Sequence, residues 1–182
     1  MSAKKRFSKK QGCREVPTEQ IRTFGDPVLK QKAKPVTTFD SHLEKFAQMM
    51  LDVMDRGEGV GLAANQVGVL SRVVVWRHPD DEEERYIYVN PEIVERSDTC
   101  NAASEGCLSV PDATMEVSRA DEVMVEAQDL QGQPIRVHLT GMLARIVQHE
   151  IDHLDGYLIL DRTSPEERRR VLKQLRERTL VI

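Results

Sequence analysis

The sequence predicts an α+β fold, with strands paired as antiparallel hairpins and helices as separate segments. Residues 122–128 and 135–139 alternate apolar and polar positions across a turn at Gln131-Gly132, which is the pattern of a hairpin with one buried face. Residues 43–54 instead repeat apolar positions at helical spacing, and residues 142–154 read as a second helix. The 182 residues are 40% apolar and 31% charged, which suits a single globular domain with a real core. A net charge of −4 gives no global pull toward nucleic acid. No apolar run approaches the roughly 18 residues of a membrane span, so no membrane contact is expected.

Residues 1–16 form a basic tail carrying Lys4, Lys5, Arg6, Lys9, Lys10 and Arg14, and the single domain is expected over 17–182. A solvated extension, an organelle transit peptide and an RNA-contacting arm all fit that composition. It lacks the apolar stretch of a secretory signal. Residues 20–24 read as a short strand, and Gly25-Asp26-Pro27 as a turn. Ser41 and Glu44 make a capping box for the first helix, which buries Leu43, Phe46, Ala47, Met50, Val53 and Met54 and stops at Gly57. Residues 57–68 are rich in glycine and alanine with a single glutamine, Gln66. They lack the G-K-[ST] of a phosphate loop, and a tight structural crossing is the competing reading.

Residues 72–76 read as a buried strand and 78–84 as an acidic hairpin tip. Residues 86–89 are the return strand, ended by Asn90-Pro91. His138 falls on the polar face of the later hairpin. Asp155-Gly156 ends the second helix, and 157–160 reads as a short apolar strand. Ser164, Pro165 and Glu167 open a last helix with a capping box. It is crowded by Arg168, Arg169, Arg170, Lys173, Arg176 and Arg178, and its apolar side is only Val171, Leu172 and Leu175. Such a helix packs on the body by its apolar side or lies on RNA by its basic one.

The chemistry concentrates in Gln148-His149-Glu150-Ile151-Asp152-His153. On a helix, residues four apart share a face, so His149 and His153 can hold one divalent metal. Glu150 can then reach a water on that metal as general base. A catalytic site of this kind needs a third protein ligand. Cys107, between Gly106 and Leu108, is the best candidate as a thiolate, with a buried inert thiol as the competing reading. The three cysteines, Cys13, Cys100 and Cys107, are odd in number without a CxxC pair, which suits a reducing compartment.

Three segments in order, G-V-G-L-A-A-N-Q (59–66), E-G-C-L-S (105–109) and Q-H-E-I-D-H-L (148–154), resemble the peptide deformylase family. F-G-D-P-V-L (24–29), Asn90-Pro91-Glu92 and Gly141-Met142-Leu143-Ala144-Arg145 agree with it. The resemblance covers residues 20–162 and implies antiparallel β-sheets packed around a central helix that carries HExxH, with a C-terminal helix. It implies Cys107, His149 and His153 as metal ligands and Glu150 as acid/base. The Gln66 side chain and the Leu108 backbone N–H are implied as oxyanion donors. The ion is expected to be Fe²⁺, with Zn²⁺, Ni²⁺ or Co²⁺ able to replace it. The substrates implied are N-formyl-methionyl nascent polypeptides, and a contact of the C-terminal helix with the ribosome is also implied. A bacterial cytoplasm is the expected setting, with organelle import left open.

Specificity is expected from two places. A narrow site at Gly106 and Cys107 would admit formyl, whose carbon bears only hydrogen. Val60, Met142 and Ile146 would take the methionine side chain, and the backbone at Gly59, Val60 and Gly61 would pair with the peptide as an added strand.

Overall fold

The computed structural model of the chain describes residues 21–179. The basic tail, Cys13 and Gln20 lie outside them. Seven strands are β1 (Gly61–Ala63), β2 (Val73–His78), β3 (Asp81–Arg96), β4 (Cys100–Cys107), β5 (Val110–Ala120), β6 (Glu122–Gln128) and β7 (Pro134–Thr140). Three α-helices are α1 (Ser41–Arg56), α2 (Gly141–Leu154) and α3 (Pro165–Thr179). Five strands form one antiparallel sheet in the order β1-β2-β3-β6-β7, and β4 pairs with β5 in a second. This is the expected α+β architecture of antiparallel sheets and a C-terminal helix.

Alternation in β2 explains how the larger sheet is covered. Val74 and Trp76 pack with Val147, Ile151 and Leu154 of α2, whereas Val73 and Val75 pack with Met50, Val53 and Met54 of α1. With both faces of the strand buried, its apolar run is nearly continuous. The HExxH helix therefore rests on one side of the sheet and α1 on the other. The smaller sheet has its own core, in which Val110, Met115 and Val117 meet Leu158, Leu160 and Val171 of α3. None of the described helices is long and apolar enough to cross a membrane.

Several local expectations are corrected. Residues 21–24 are irregular, because Arg22 and Phe24 donate singly to the carbonyls of Gln66 and Ser109 rather than joining a ladder. The cap of α1 is Asp40, whose carboxylate accepts from His42 and Leu43 N–H at 2.9 and 3.1 Å, so Ser41 is already inside the helix. An ionised cap is also favoured at a helix N-terminus. The strand after the acidic tip does not stop at Asn90-Pro91. Asn90 takes φ 52°, the register shifts between Val89 and Glu92, and Pro91 passes in the bulge, where no ladder N–H is needed. Asn90 Nδ2 holds the bulge by donating to Val36 O and Gln128 Oε1, each at 2.8 Å. Residues 157–160 form no strand, and the 3-10 turn Ile159–Asp161 is held by Leu158 N–H donating to Asp161. At α3 the Ser164 hydroxyl accepts from Glu167 N–H at 3.2 Å as expected, but the Glu167 carboxylate pairs with Arg170.

A candidate metal centre and its cavity

Cys107 ends β4, and the turn Leu108-Ser109 leads directly into β5. His149 and His153 lie one turn apart on α2, which faces that turn. The Sγ and ring nitrogens of the three residues all lie within 4.8 Å of one another. Cys107 Sγ is 3.2 Å from His153 Nε2, which is itself 3.2 Å from His149 Nε2. Atoms bound at 2.0–2.3 Å to one tetrahedral ion stand roughly 3.3–3.8 Å apart, so the set has the right size.

The surroundings also prepare the ligands. His149 Nδ1 lies 2.9 Å from Glu105 Oε2. Burial alone would raise the Glu105 carboxyl, but hydrogen bonds from His149 and Arg119 outweigh it and hold it at about 2. Glu105 is therefore an ionised acceptor for a hydrogen on His149 Nδ1, which leaves Nε2, on the side of His153, as the nitrogen a metal would bind. Arg119 grips Glu105 at both oxygens, at 3.0 and 2.9 Å, and Arg145 adds a bond at 2.7 Å. Arg119 also pairs with Asp152, which Arg162 holds from the surface side. The donor set of a thiolate and two imidazoles, one of them oriented by a carboxylate, fits a divalent cation.

Glu150 is 4% exposed, and its Oε2 has no hydrogen-bond partner. Burial pushes its carboxyl up to about 7, against the pull of His149 and Arg119. Gly61 makes room for it, because a Cβ there would fall 2.8 Å from the Glu150 carboxyl carbon. Gly59 likewise leaves room for Leu108, with a Cβ only 2.8 Å from Leu108 Cδ1. Gln66, 2% exposed, accepts Ala63 N–H on its oxygen at 2.8 Å. Its nitrogen therefore donates, to Ser109 Oγ at 3.1 Å, and lies 3.9 Å from Cys107 Sγ.

These groups border one cavity of about 550 Å³. Of the site residues marked from the sequence, Gly59, Val60, Gly61, Gln66, Gly106, Cys107, Leu108, Met142, Ile146, His149 and Glu150 all line it. His153 sits deeper, 1% exposed. Ile146 is 5% exposed, whereas Val60 and Met142 stand at the open side at 39% and 56%. Gly106 is not crowded, since a Cβ there would meet only Thr114 Cγ2 at 4.0 Å.

Glu105, Ser109, Arg119, Arg145 and Asp152 escaped the reading of the sequence as participants. Glu105 and Ser109 flank Cys107 in E-G-C-L-S, and period-2 spacing from the cysteine would have marked both once that stretch was known to be a strand ending in a tight turn.

Comparison with known proteins agrees with this geometry. The sequence model of one family, Polypeptide deformylase, matches residues 18–169. A peptide deformylase of Thermotoga petrophila is 44% identical over 156 residues, 86% of this chain and 93% of the relative. One of Natranaerobius thermophilus is 48% identical over 144 residues, 79% and 91% of the two chains. The crystal structure of a peptide deformylase from Legionella pneumophila superposes with a TM-score of 0.82 at 41% identity, covering 88% of this chain and 95% of that one. A shared fold, a shared sequence over most of both chains and a Cys-His-His cluster in a cavity converge on one assignment: the chain belongs to the polypeptide deformylase family and is an enzyme of that family.

Proposed function

We propose that the chain hydrolyses the N-terminal formamide of formyl-methionyl nascent polypeptides, releasing formate and a free amine. The observation that carries this is the buried Glu150 carboxylate, with one unpartnered oxygen, beside the Cys107-His149-His153 cluster in the cavity. Those three residues would hold one Fe²⁺, and Zn²⁺, Ni²⁺ or Co²⁺ also suit a thiolate with two imidazoles. Such an ion, when bound, supplies a Lewis acid and brings the pKa of its water toward neutrality.

Glu150 takes the proton from the attacking water. Its carboxyl, raised by burial to about 7, is suited to accept a proton and give it up again near neutral pH. As the carbonyl carbon becomes tetrahedral, charge develops on its oxygen. The Gln66 nitrogen, fixed through Ala63 and Ser109, and the Leu108 backbone N–H serve as donors to that oxygen. Glu150 then delivers its proton to the leaving amine. Ile146, Met142 and Val60 take the methionine side chain, and the backbone at Gly59, Val60 and Gly61 pairs with the peptide. Gly106 and Cys107 border the formyl group.

The catalytic unit spans 17–182, with residues 1–16 as an appended tail, and the two described cysteines, both free, suit a cytoplasmic setting. The basic face of α3 is proposed to meet the ribosome. Much of it is already paired, Arg168 with Asp161, Arg169 with Glu166 and Lys173 with Glu177. Changing Arg168, Arg169 and Lys173 to Glu should weaken ribosome cosedimentation, and unchanged binding removes this contact. The function itself is tested by release of the free N-terminal amine from a formyl-Met tripeptide beside its acetyl counterpart. Release from the formyl peptide alone supports it, and cleavage of internal peptide bonds instead contradicts it.

A further inference from the structure

Arg145 lies one helical turn before His149 on α2, and Glu105 lies two residues before Cys107 on β4. Arg145 therefore shares a face with His149, while Glu105 stands just before the register shift at Gly106 and Cys107. Arg145 donates to Glu105 Oε1 at 2.7 Å, and Glu105 Oε2 holds His149 Nδ1 at 2.9 Å. The same guanidinium also reaches both strands of the hairpin, at Val117 O of β5 (2.8 Å) and Asn101 O of β4 (2.6 Å). It is 8% exposed. A guanidinium offers five donors in a rigid fork, so it can tie three acceptors at once, which an ammonium does poorly. Of the two guanidiniums on Glu105, Arg119 comes from β5 and also pairs with Asp152 of α2, whereas Arg145 comes from the helix itself and reaches both strands of the hairpin.

We propose that Arg145 is a positioning residue of the metal centre. Through Glu105 it keeps the strand carrying Cys107 in register with the helix carrying His149 and His153, so the ligands stay assembled and the ion is retained. This rests on reading those three residues as the ligands. Because Arg145 also lines the cavity, a substrate contact is the competing role.

Arg145→Met keeps an unbranched stem but removes the guanidinium, and leaves Glu105 its bonds to Arg119 and His149. Wild type, Arg145→Met and Arg145→Lys would be loaded with Co²⁺. For each, the ion stoichiometry, the visible absorption, the release of Co²⁺ to a chelator and KM for a formyl-Met peptide would be measured. Arg145→Met should bind Co²⁺ about 10- to 100-fold more weakly, with faster release and a shifted absorption, and Arg145→Lys should fall between it and wild type. Val125→Ala, a core truncation in β6, should lower Tm yet release Co²⁺ as wild type does. Release from Arg145→Met at the wild-type rate, a raised KM as its only change, or equally fast release from Val125→Ala would overturn the inference. Should Arg145→Met fail to fold, Arg145→Lys decides alone, by faster release than wild type or by none. A wild type that binds no Co²⁺, or binds it equally well after Cys107→Ser, defeats the ligand reading itself, a result distinct from all of these.

Discussion

His149 Nδ1 sits 2.9 Å from Glu105 Oε2, and that carboxylate is held by Arg119 at both oxygens and by Arg145 at Oε1. Glu105 is held at about 2, below its ordinary 4.5, so it stabilises the fold above about pH 4.5. That contribution fades as pH falls from 4.5 to 2 and corresponds to roughly 3 kcal/mol. Urea unfolding of the metal-free protein at pH 5 and pH 3 should show a larger loss for wild type than for Glu105→Gln, which cannot ionise. Equal losses would mean that Glu105 carries no such linkage.

Glu150 must be ionised to take a proton, so activity should fall as pH drops through its pKa. Burial sets that value at about 7. A neighbouring cation favours the carboxylate, so in the metal-loaded enzyme the acid limb of kcat/KM should lie at or below pH 7. A limb well above 7 would assign the limiting proton to another group.

The Gln66 nitrogen points into the site because its oxygen is engaged by Ala63 N–H. Gln66→Ala should lower kcat by about 10²–10³ with metal content unchanged, the usual cost of one oxyanion donor. Ser109→Ala, which only frees the amide to turn, should cost less. A Gln66→Ala enzyme with normal kcat would leave Leu108 N–H as the sole backbone or side-chain donor of the account.

Ile146 precedes His149 by three on α2 and is nearly buried in the cavity wall. Ile146→Trp should raise KM for formyl-Met peptides while metal content stays at the wild-type level. A normal KM removes Ile146 from the side-chain pocket.

What the sequence disclosed follows from where each segment sits. The hairpin of β6 and β7 was legible because one face is buried and the other wet, so Val123, Val125 and Ala127 alternate cleanly. His149 and His153 were legible because helical spacing alone brings them together. The strand β4 was not, because it lies in a two-stranded sheet and Cys100, Asn101, Ala102 and Ser104 carry no apolar alternation. With β4 unseen, Glu105 could not be placed beside His149, nor Arg119 and Arg145 around it. Within the run 157–160, Leu158, Ile159 and Leu160 are apolar because they are buried in one core with Met115 and Val117, a tertiary cause that pattern alone reads as a strand. Asn90 broke the expected rule for Asn-Pro because its side chain bonds Val36 and Gln128 across the bulge.

The central claim is that one ion held by Cys107, His149 and His153 works with Glu150 as the proton carrier. It is tested most directly by measuring metal content and formate release together for the iron-loaded protein and its Glu150→Ala variant, using a formyl-Met tripeptide. The account predicts one ion per chain in both, rapid release by wild type, and a loss of at least about 10²-fold in the variant. Comparable turnover by a metal-replete Glu150→Ala protein would contradict it.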